Sequence, residues 1–238
     1  MTNNKAQDIT VEWTSPSNLA IVKYWGKRDI QQPLNPSISF SLKNAVTTTR
    51  VSAKASEHAG FTFFLDGIKK ETFNAKIANL LKMAASTLPF ITTHHLTIES
   101  SNTFPHSSGI ASSASSMSAL ALCLADLQLM ISNESSHTLN LQMASELARL
   151  GSGSAARSLY GGWNVWGEIS AISGSSDHYA VKLSNVHANF MQIANAILII
   201  EPKSKKVSSS QGHALMNNHS YGEARIKQAN ENSLQLLE

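Results

Sequence analysis

Alternating apolar and polar positions dominate the first third of this 238-residue chain and give way to helical spacing beyond it. Residues 11–14, 38–42, 47–53 and 61–65 read as short strands, with Asp66-Gly67 as a hairpin turn after the last of them. Ile77, Leu80, Leu81 and Ala84 recur at helical spacing within residues 73–86, and residues 96–100 return to an extended pattern. The strongest helix covers residues 112–129. It carries Met117, Leu120, Leu124 and Leu127 on one face and small Ala121 and Ala125 opposite, which predicts burial on several sides. Residues 139–150 form a second helix ending at Gly151, and residues 154–160 a short third one ending at Gly161-Gly162. Strand-like runs follow at 163–166, 179–183 and 196–200, broken by the turn-rich stretch 173–177, and residues 221–237 are helical by composition. The pattern predicts an α+β fold, an antiparallel sheet with helices on one side.

Composition narrows the function classes. The length suits one large domain or two small ones. The longest apolar runs, near 119–125 and 194–200, fall short of the roughly 20 residues that span a bilayer. Residues 1–10 are polar and include Asp8, which predicts no secretory leader in that stretch. The single cysteine, Cys123, lies in the apolar helix and reads as a buried structural thiol in a reducing, cytoplasmic setting. A net charge of +3 is too mild for a nucleic-acid surface and suits a small anionic substrate. Nine histidines show no metal-ligand spacing, and neither a Walker-type phosphate loop nor a dinucleotide-binding glycine motif occurs.

Four segments concentrate anion-binding chemistry. Residues 102–116 join a Gly/Ser loop to the strongest helix; Pro105 ends the preceding strand, Gly109 permits a positive φ, and residues 111–113 leave main-chain amides uncovered. In residues 15–29, Lys23 and Lys27 flank an aromatic pair and share a face whether the piece is extended or one helical turn. In residues 151–162, glycines and serines open a short helix that places Arg157 three residues beyond Ser154, a guanidinium fork suited to a diphosphate. A structural pairing of Arg157 with Glu146 is the competing reading. Residues 203–212 are cationic and hydroxyl-rich, and either close over an anion or form a solvated loop.

Together these segments resemble the GHMP kinase superfamily and, more narrowly, its diphosphomevalonate decarboxylases. The resemblance rests on KYWGKRD at 23–29, PLNPSIS at 33–39, SGIASSAS at 108–115, GSGSAARSLYGGW at 151–163 and residues 207–212. Pro36 stands where Ser is usual, Ala156 where Cys is common, and His106-Ser107-Ser108 replaces a small Thr/Ala run. The resemblance implies a GHMP-kinase fold whose N-terminal half is ribosomal-protein-S5-domain-2-like, over residues 1–188. Residues 189–238 would begin a C-terminal domain that is incomplete relative to the family. An apolar-Thr-x-Asp-Ala-Gly-Pro-Asn segment, which supplies the family's catalytic carboxylate, does not occur in residues 1–238. The resemblance therefore places the catalytic Asp beyond Glu238.

What the resemblance implies chemically is ATP-dependent decarboxylation of 5-diphosphomevalonate to isopentenyl diphosphate, with ATP as co-substrate and Mg²⁺. Lys23 and Arg157 would be catalytic. Asn18, Tyr24, Lys27, Ser152, Ser154 and Arg157 would bind substrate, and Ser208, Ser209 and Ser210 would close over the diphosphate. ATP would be held by Asn102, Pro105, Ser107, Ser108, Gly109, Ala111, Ser112 and Ser113, with no protein-held metal site. A cytoplasmic homodimer without nucleic-acid or membrane partners is expected. The alternatives are an incomplete family member that binds anions without turnover, and another GHMP kinase acting on a mevalonate-like hydroxyl.

Overall fold

Two long strands organise the sheet: β1 (Ile9–Val22) runs antiparallel to Ser37–Ala55 along nearly its whole length. Between them, β2 (Lys27–Arg28) and β3 (Gln32–Pro33) make a separate small ribbon, so the 19-residue strand Ser37–Ala55 is β4. The sequence pattern divides β4 into two strands because residues 43–45 interrupt the alternation. They form a bulge instead: Pro16 pairs with Val46 and the next residue, Ser17, pairs with Leu42. A proline has no N–H to offer the ladder, so a bulge beside Pro16 costs little pairing. The computed structural model describes residues 8–105, 110–132, 138–198, 212, 215–216 and 218–238.

β5 (Gly60–Leu65) turns through Asp66 and Gly67, both at positive φ (51° and 74°), into β6 (Ile68–Lys69), the hairpin that Asp-Gly predicts. The chain then crosses over through α1 (Asn74–Ala84) to β7 (His94–Asn102), which lies parallel to β5 and antiparallel to β4. That crossover adds one parallel pair to an otherwise antiparallel sheet, because only a connection of this length can return a strand in the same direction. α2 (Ser112–Ser132) and α3 (Leu141–Gly151) follow, the latter capped by Asn140, whose side chain accepts from the Met143 amide at 3.0 Å. β8 (Trp163–Trp166) pairs with the first residues of β4, and β9 (Ala180–Lys182) with β8. α4 (Gly222–Leu237) is the last element.

Along one edge of β4, β8 occupies the N-terminal end and β7 the C-terminal end, while β1 covers the other edge. α1, α2 and α3 bury Leu80, Leu120, Leu124 and Leu147 with Val51, Leu96 and Ile98 of the sheet. α2 is long and apolar enough to cross a membrane by length and composition, with a mean hydropathy of 1.5, but 67% of that window is buried inside the fold. Its serines extend the helix past the apolar run, which is why counting apolar runs underestimates it. Cys123 is buried there, its thiol donating to the Thr49 carbonyl at 3.1 Å, and burial pushes its pKa up to about 12.

At the β8 end the alternation of β4 separates two environments. Ile38 and Phe40 pack with Trp163 and Val165, and the end of α4 lies against them through Leu236 and Leu237. Ser37 and Ser39 point the other way, opposite Trp166 and Asn164. Residues 196–198, expected to be strand, are outside any strand and exposed, with Leu198 85% exposed. Residues 199–200 lie outside the described residues. The expected helix over 154–160 is a 3₁₀ turn, Gly153–Ser158.

Candidate functional site

On the Ser37 side of β4, a cleft of about 650 Å³ lies between the end of β1, the β2–β3 ribbon, α1, the start of α2 and the 3₁₀ turn; Ser37 and Trp166 are buried behind its lining. β1 resolves the sequence ambiguity over residues 15–22 as extended chain and releases Lys23 and Tyr24 at its C-terminal end. Buried Asn35 holds that turn in shape. Its Nδ2 donates to the Lys23 carbonyl at 2.9 Å and its Oδ1 accepts from the Trp25 amide at 2.9 Å. In the ribbon loop, Asp29 and Gln31 adopt positive φ (43° and 60°), and Lys27 Nζ donates to Gln31 Oε1.

Arg157 is the most constrained cation of the cleft. It is 2% exposed, its NH1 donates to Ser37 Oγ, and its Cζ stands 5.9 Å from the centre of the Tyr24 ring. Lys27 Nζ lies 5.7 Å from the same ring, and Tyr24 meets Trp166 edge-on at 4.9 Å between centroids. The 3₁₀ turn brings Ser154 and Arg157 onto one face, because residues three apart eclipse in this geometry. Gly153 makes the approach possible: a Cβ there would fall 2.7 Å from Trp166 Cη2.

Charge sorts these cations from the other guanidiniums nearby. Arg28 pairs with Asp177, and Arg149 donates to the carbonyls of Ile30 and His178, so both tie the ribbon to the body of the fold. Among the described residues Arg157 makes no ion pair, to Glu146 or any other carboxylate, and its buried Nε has no hydrogen-bond partner. Burial pulls the Arg157 pKa down to about 10, opposed in part by Tyr24. Burial raises that of Tyr24, opposed by the Arg157 charge. Burial and then the charge of Lys76 lower that of Lys27. No Asp or Glu lines the cleft among the described residues.

α2 presents its N-terminus to the same space. Ala111 turns into the helix with φ 53°, a conformation an alanine adopts at a cost of roughly 1–2 kcal/mol. Ser113 lines the cleft and its Oγ lies 3.3 Å from Ser152 Oγ.

A family model for the diphosphomevalonate decarboxylase-like N-terminal domain matches residues 15–180, which include every lining residue of this cleft. The chain belongs to this family. It is 33% identical over 219 residues to the diphosphomevalonate decarboxylase of Saccharomyces cerevisiae, covering 87% of this chain and 53% of the yeast protein. It is 36% identical over 212 residues to that of Eremothecium gossypii, covering 84% of this chain and 51% of the relative. The chain thus spans about half the length of the curated relatives it matches. Among solved structures, mevalonate diphosphate decarboxylase from Staphylococcus aureus superposes with a TM-score of 0.76 at 30% identity, over 96% of this chain and 66% of the other. A family member in complex with MVAPP, AMPPCP and magnesium superposes with a TM-score of 0.75 at 27% identity, over 97% and 67%.

Within this decarboxylase-like domain the expected site residues do not all converge. Asn18, Lys23, Tyr24, Lys27, Ala111, Ser113, Ser152, Ser154 and Arg157 line the cleft. Asn18 also serves the scaffold, its Nδ2 donating to the Ser154 carbonyl at 3.0 Å and Ser158 Oγ at 2.7 Å. Ser112 is buried at the helix start and is not a lining residue. Asn102 sits at the end of β7, outside the cleft; its Oδ1 accepts from Thr47 Oγ1 at 2.6 Å and its Nδ2 is buried without a partner among the described residues. Pro105 follows it, exposed. Ser107, Ser108, Gly109, Ser208, Ser209 and Ser210 lie outside the described residues.

Glu238, the residue at the end of α4, does not line the cleft. It follows α4 and borders a separate pocket with Ile38, Trp163, Leu236 and Leu237. The reason is the alternation of β4: α4 packs on the face that carries Ile38, whereas Ser37 and Arg157 occupy the opposite one.

The cleft also holds Gln31, Lys76 and Asn79, to which no sequence motif points. Lys76 and Asn79 flank the apolar stripe of α1 three residues apart, a spacing that looks like ordinary solvated helix until the fold is known.

Proposed function

We propose that the chain supplies the substrate- and ATP-binding part of an ATP-dependent diphosphomevalonate decarboxylase of isoprenoid biosynthesis. The observation that carries this reading is the buried Arg157, a guanidinium with no carboxylate partner among the described residues at the head of a cationic cleft. Desolvating a charge costs several kcal/mol unless an anion compensates it, and a carboxylate- or diphosphate-bearing substrate would supply that anion. The relative in complex with MVAPP, AMPPCP and magnesium supports the same choice of ligands.

In this reading Arg157 holds the substrate carboxylate, Lys27, Tyr24, Ser152 and Ser154 hold its diphosphate, and Lys23 stands by the tertiary hydroxyl. The hydroxyl gives its proton to the catalytic carboxylate that the family resemblance implies, and its oxygen takes the γ-phosphoryl group of ATP as the bond to the departing ADP breaks. Phosphate then departs with the C3–O electron pair, and the C1–C2 bond breaks to release CO₂ and form the alkene of isopentenyl diphosphate. Such chemistry depends on positioning and on fixed positive charge facing the developing anions. The ATP phosphates fit the start of α2, with Ala111 and Ser113 in the cleft. Mg²⁺ would be held chiefly by phosphate oxygens and water. When bound, Mg²⁺ would neutralise phosphate charge. Residues 1–188 as the ATP- and substrate-binding domain, the cytoplasmic setting and the homodimer belong to the same proposal.

Calorimetric titration of 5-diphosphomevalonate tests it. Arg157→Lys keeps the charge but loses the planar fork, and should weaken binding by about 1.5–3 kcal/mol. Equal dissociation constants in both chains would overturn the assignment. A second reading, binding without turnover, is favoured by the absence of Asp and Glu from the described lining of the cleft. CO₂ release from diphosphomevalonate and ATP by the purified 238-residue chain, abolished by Lys23→Ala, would reject that second reading.

A further inference from the structure

Resting on the anionic-substrate reading above, we propose that Gln31 of the ribbon loop is a positioning residue for substrate binding: its side-chain carbonyl holds the Lys27 ammonium in the cleft without cancelling its charge. Lys27 Nζ donates to Gln31 Oε1, and both side chains line the cavity. An ammonium only donates, so this contact fixes which end of the Gln31 amide meets Lys27. Among the described residues Lys27 has no carboxylate partner; the ion pairs are Arg28–Asp177, Arg50–Glu12 and Lys69–Glu71. A carboxylate at position 31 would also hold the lysine, but it would neutralise the charge that the substrate diphosphate needs and repel the diphosphate itself. A neutral acceptor holds without neutralising. Lysine ends a flexible four-carbon stem, so fixing its head before the ligand arrives removes part of the ordering cost of binding.

The backbone of the loop is bent so as to present Gln31. Its φ of 60°, like the 43° of Asp29, lies in the left-handed region that residues other than glycine enter at a cost. Such a conformation persists where the surroundings impose it, and here they do. Arg149, 6% exposed, donates to the Ile30 carbonyl between the two residues, Arg28 pairs with Asp177, and the Gln31 amide donates to the Asp29 carbonyl at 3.1 Å. The neighbouring Gln32 is not part of the lining, and its Nε2 lies 3.4 Å from His178 Nε2. The loop therefore aims one glutamine at Lys27 and the other away from it.

The groups around Lys27 are Tyr24, whose ring centre lies 5.7 Å from Nζ, Lys76 of α1, and Lys23 and Arg157 in the same lining. Three of these are cations, and the Gln31 contact favours the charged form of Lys27 against them.

The test titrates the 238-residue chain with 5-diphosphomevalonate from neutral to alkaline pH. It compares wild type, Gln31→Met, Gln31→Glu and Gln32→Met. Loss of the acceptor in Gln31→Met predicts roughly 5- to 10-fold weaker binding at neutral pH. The alkaline fall in affinity should also move to lower pH, because the charged lysine has lost a partner. Gln31→Glu should weaken binding too but move that fall to higher pH, opposite shifts that a merely structural role would not produce. Gln32→Met should keep the wild-type affinity and profile. In a Lys27→Met background, Gln31→Met should cost no further affinity, since its effect runs through the ammonium. Unchanged affinity in Gln31→Met, an unshifted profile in either Gln31 variant, an equal loss in Gln32→Met, or an undiminished loss in the Lys27→Met background would overturn the proposal. If wild type bound no diphosphomevalonate, the anionic-substrate reading itself would fail, whatever the variants did.

Discussion

Ser37 Oγ accepts a hydrogen bond from the Arg157 guanidinium while donating its own proton to the Val22 carbonyl at 2.6 Å. One fully buried hydroxyl therefore links the principal cation of the cleft to the end of the strand that delivers Lys23 and Tyr24. Ser37→Ala removes the link without adding bulk. The expected result is a loss of about 1 kcal/mol of stability and weaker diphosphomevalonate binding, by roughly 3- to 10-fold, as the guanidinium loses its orienting partner. Thermal unfolding and calorimetry measure the two separately. An unchanged affinity would show that Tyr24 alone suffices to orient Arg157.

Arg157 should also display a trade between stability and binding. Its pKa of about 10 in the fold lies below the ordinary arginine value, so the unfolded chain holds this proton more tightly. The burial penalty is fully present at neutral pH and fades only as pH rises from about 10 towards the unfolded value. Arg157→Met removes the buried charge at similar length, and the unliganded chain should become more stable by about 1 kcal/mol or more. The same variant should gain nothing on adding diphosphomevalonate, whereas wild type gains stability by mass action. A less stable variant would mean that the hydrogen bond to Ser37 outweighs the desolvation.

For Lys27 the pH dependence has two opposite signs. Its lowered pKa means the folded chain carries a penalty at neutral pH that diminishes as pH rises through the window between the lowered value and the ordinary lysine value. Anion binding requires the charged form and weakens through that same window. Lys27→Arg stays charged throughout, so its affinity for diphosphomevalonate should hold at alkaline pH where that of wild type declines. Parallel pH profiles for the two chains would exclude Lys27 from the site.

Asn18 lines the cleft but spends its amide on the 3₁₀ turn that carries Ser154 and Arg157. Asn18→Ala leaves the Ser154 carbonyl and Ser158 hydroxyl without that donor and should destabilise the fold by about 1–3 kcal/mol. Asn18→Asp loses the donor while keeping the shape, and should be at least as harmful. Urea unfolding of the three chains checks this, and equal midpoints would reduce Asn18 to a surface contact with ligand.

The start of α2 separates its two serines. Ser113 faces the cleft, and Ser113→Leu should weaken binding of AMPPCP with magnesium about tenfold or more while leaving the unfolding temperature near that of wild type. Ser112 is buried, so Ser112→Leu should overpack the helix start at a cost of about 1–3 kcal/mol. Reversed outcomes would exchange the two roles.

Elements and motif residues are legible in the chain because both are written in short-range patterns. The apolar stripes of α1, α2 and α3, the Asp66-Gly67 hairpin and the Ser154 to Arg157 spacing each depend on neighbours a few residues away. Which charges remain available is settled by long-range contacts instead. Arg28 and Arg149 read no differently from Arg157 in the sequence, yet contacts 149 and 119 residues away spend the first two on the scaffold. Arg157, 120 residues from Ser37, keeps a nitrogen unpaired among the described residues, beside a cavity. Lys76 became visible only once the β5–β7 crossover had set α1 beside the ribbon. β4 stayed whole for a similar reason: β1 pairs on both sides of the 43–45 bulge, and that partner lies outside any local window. Local periodicity reports which face of an element is apolar, but the electrostatic state of a cation depends on what the folded chain brings within a few ångströms of it.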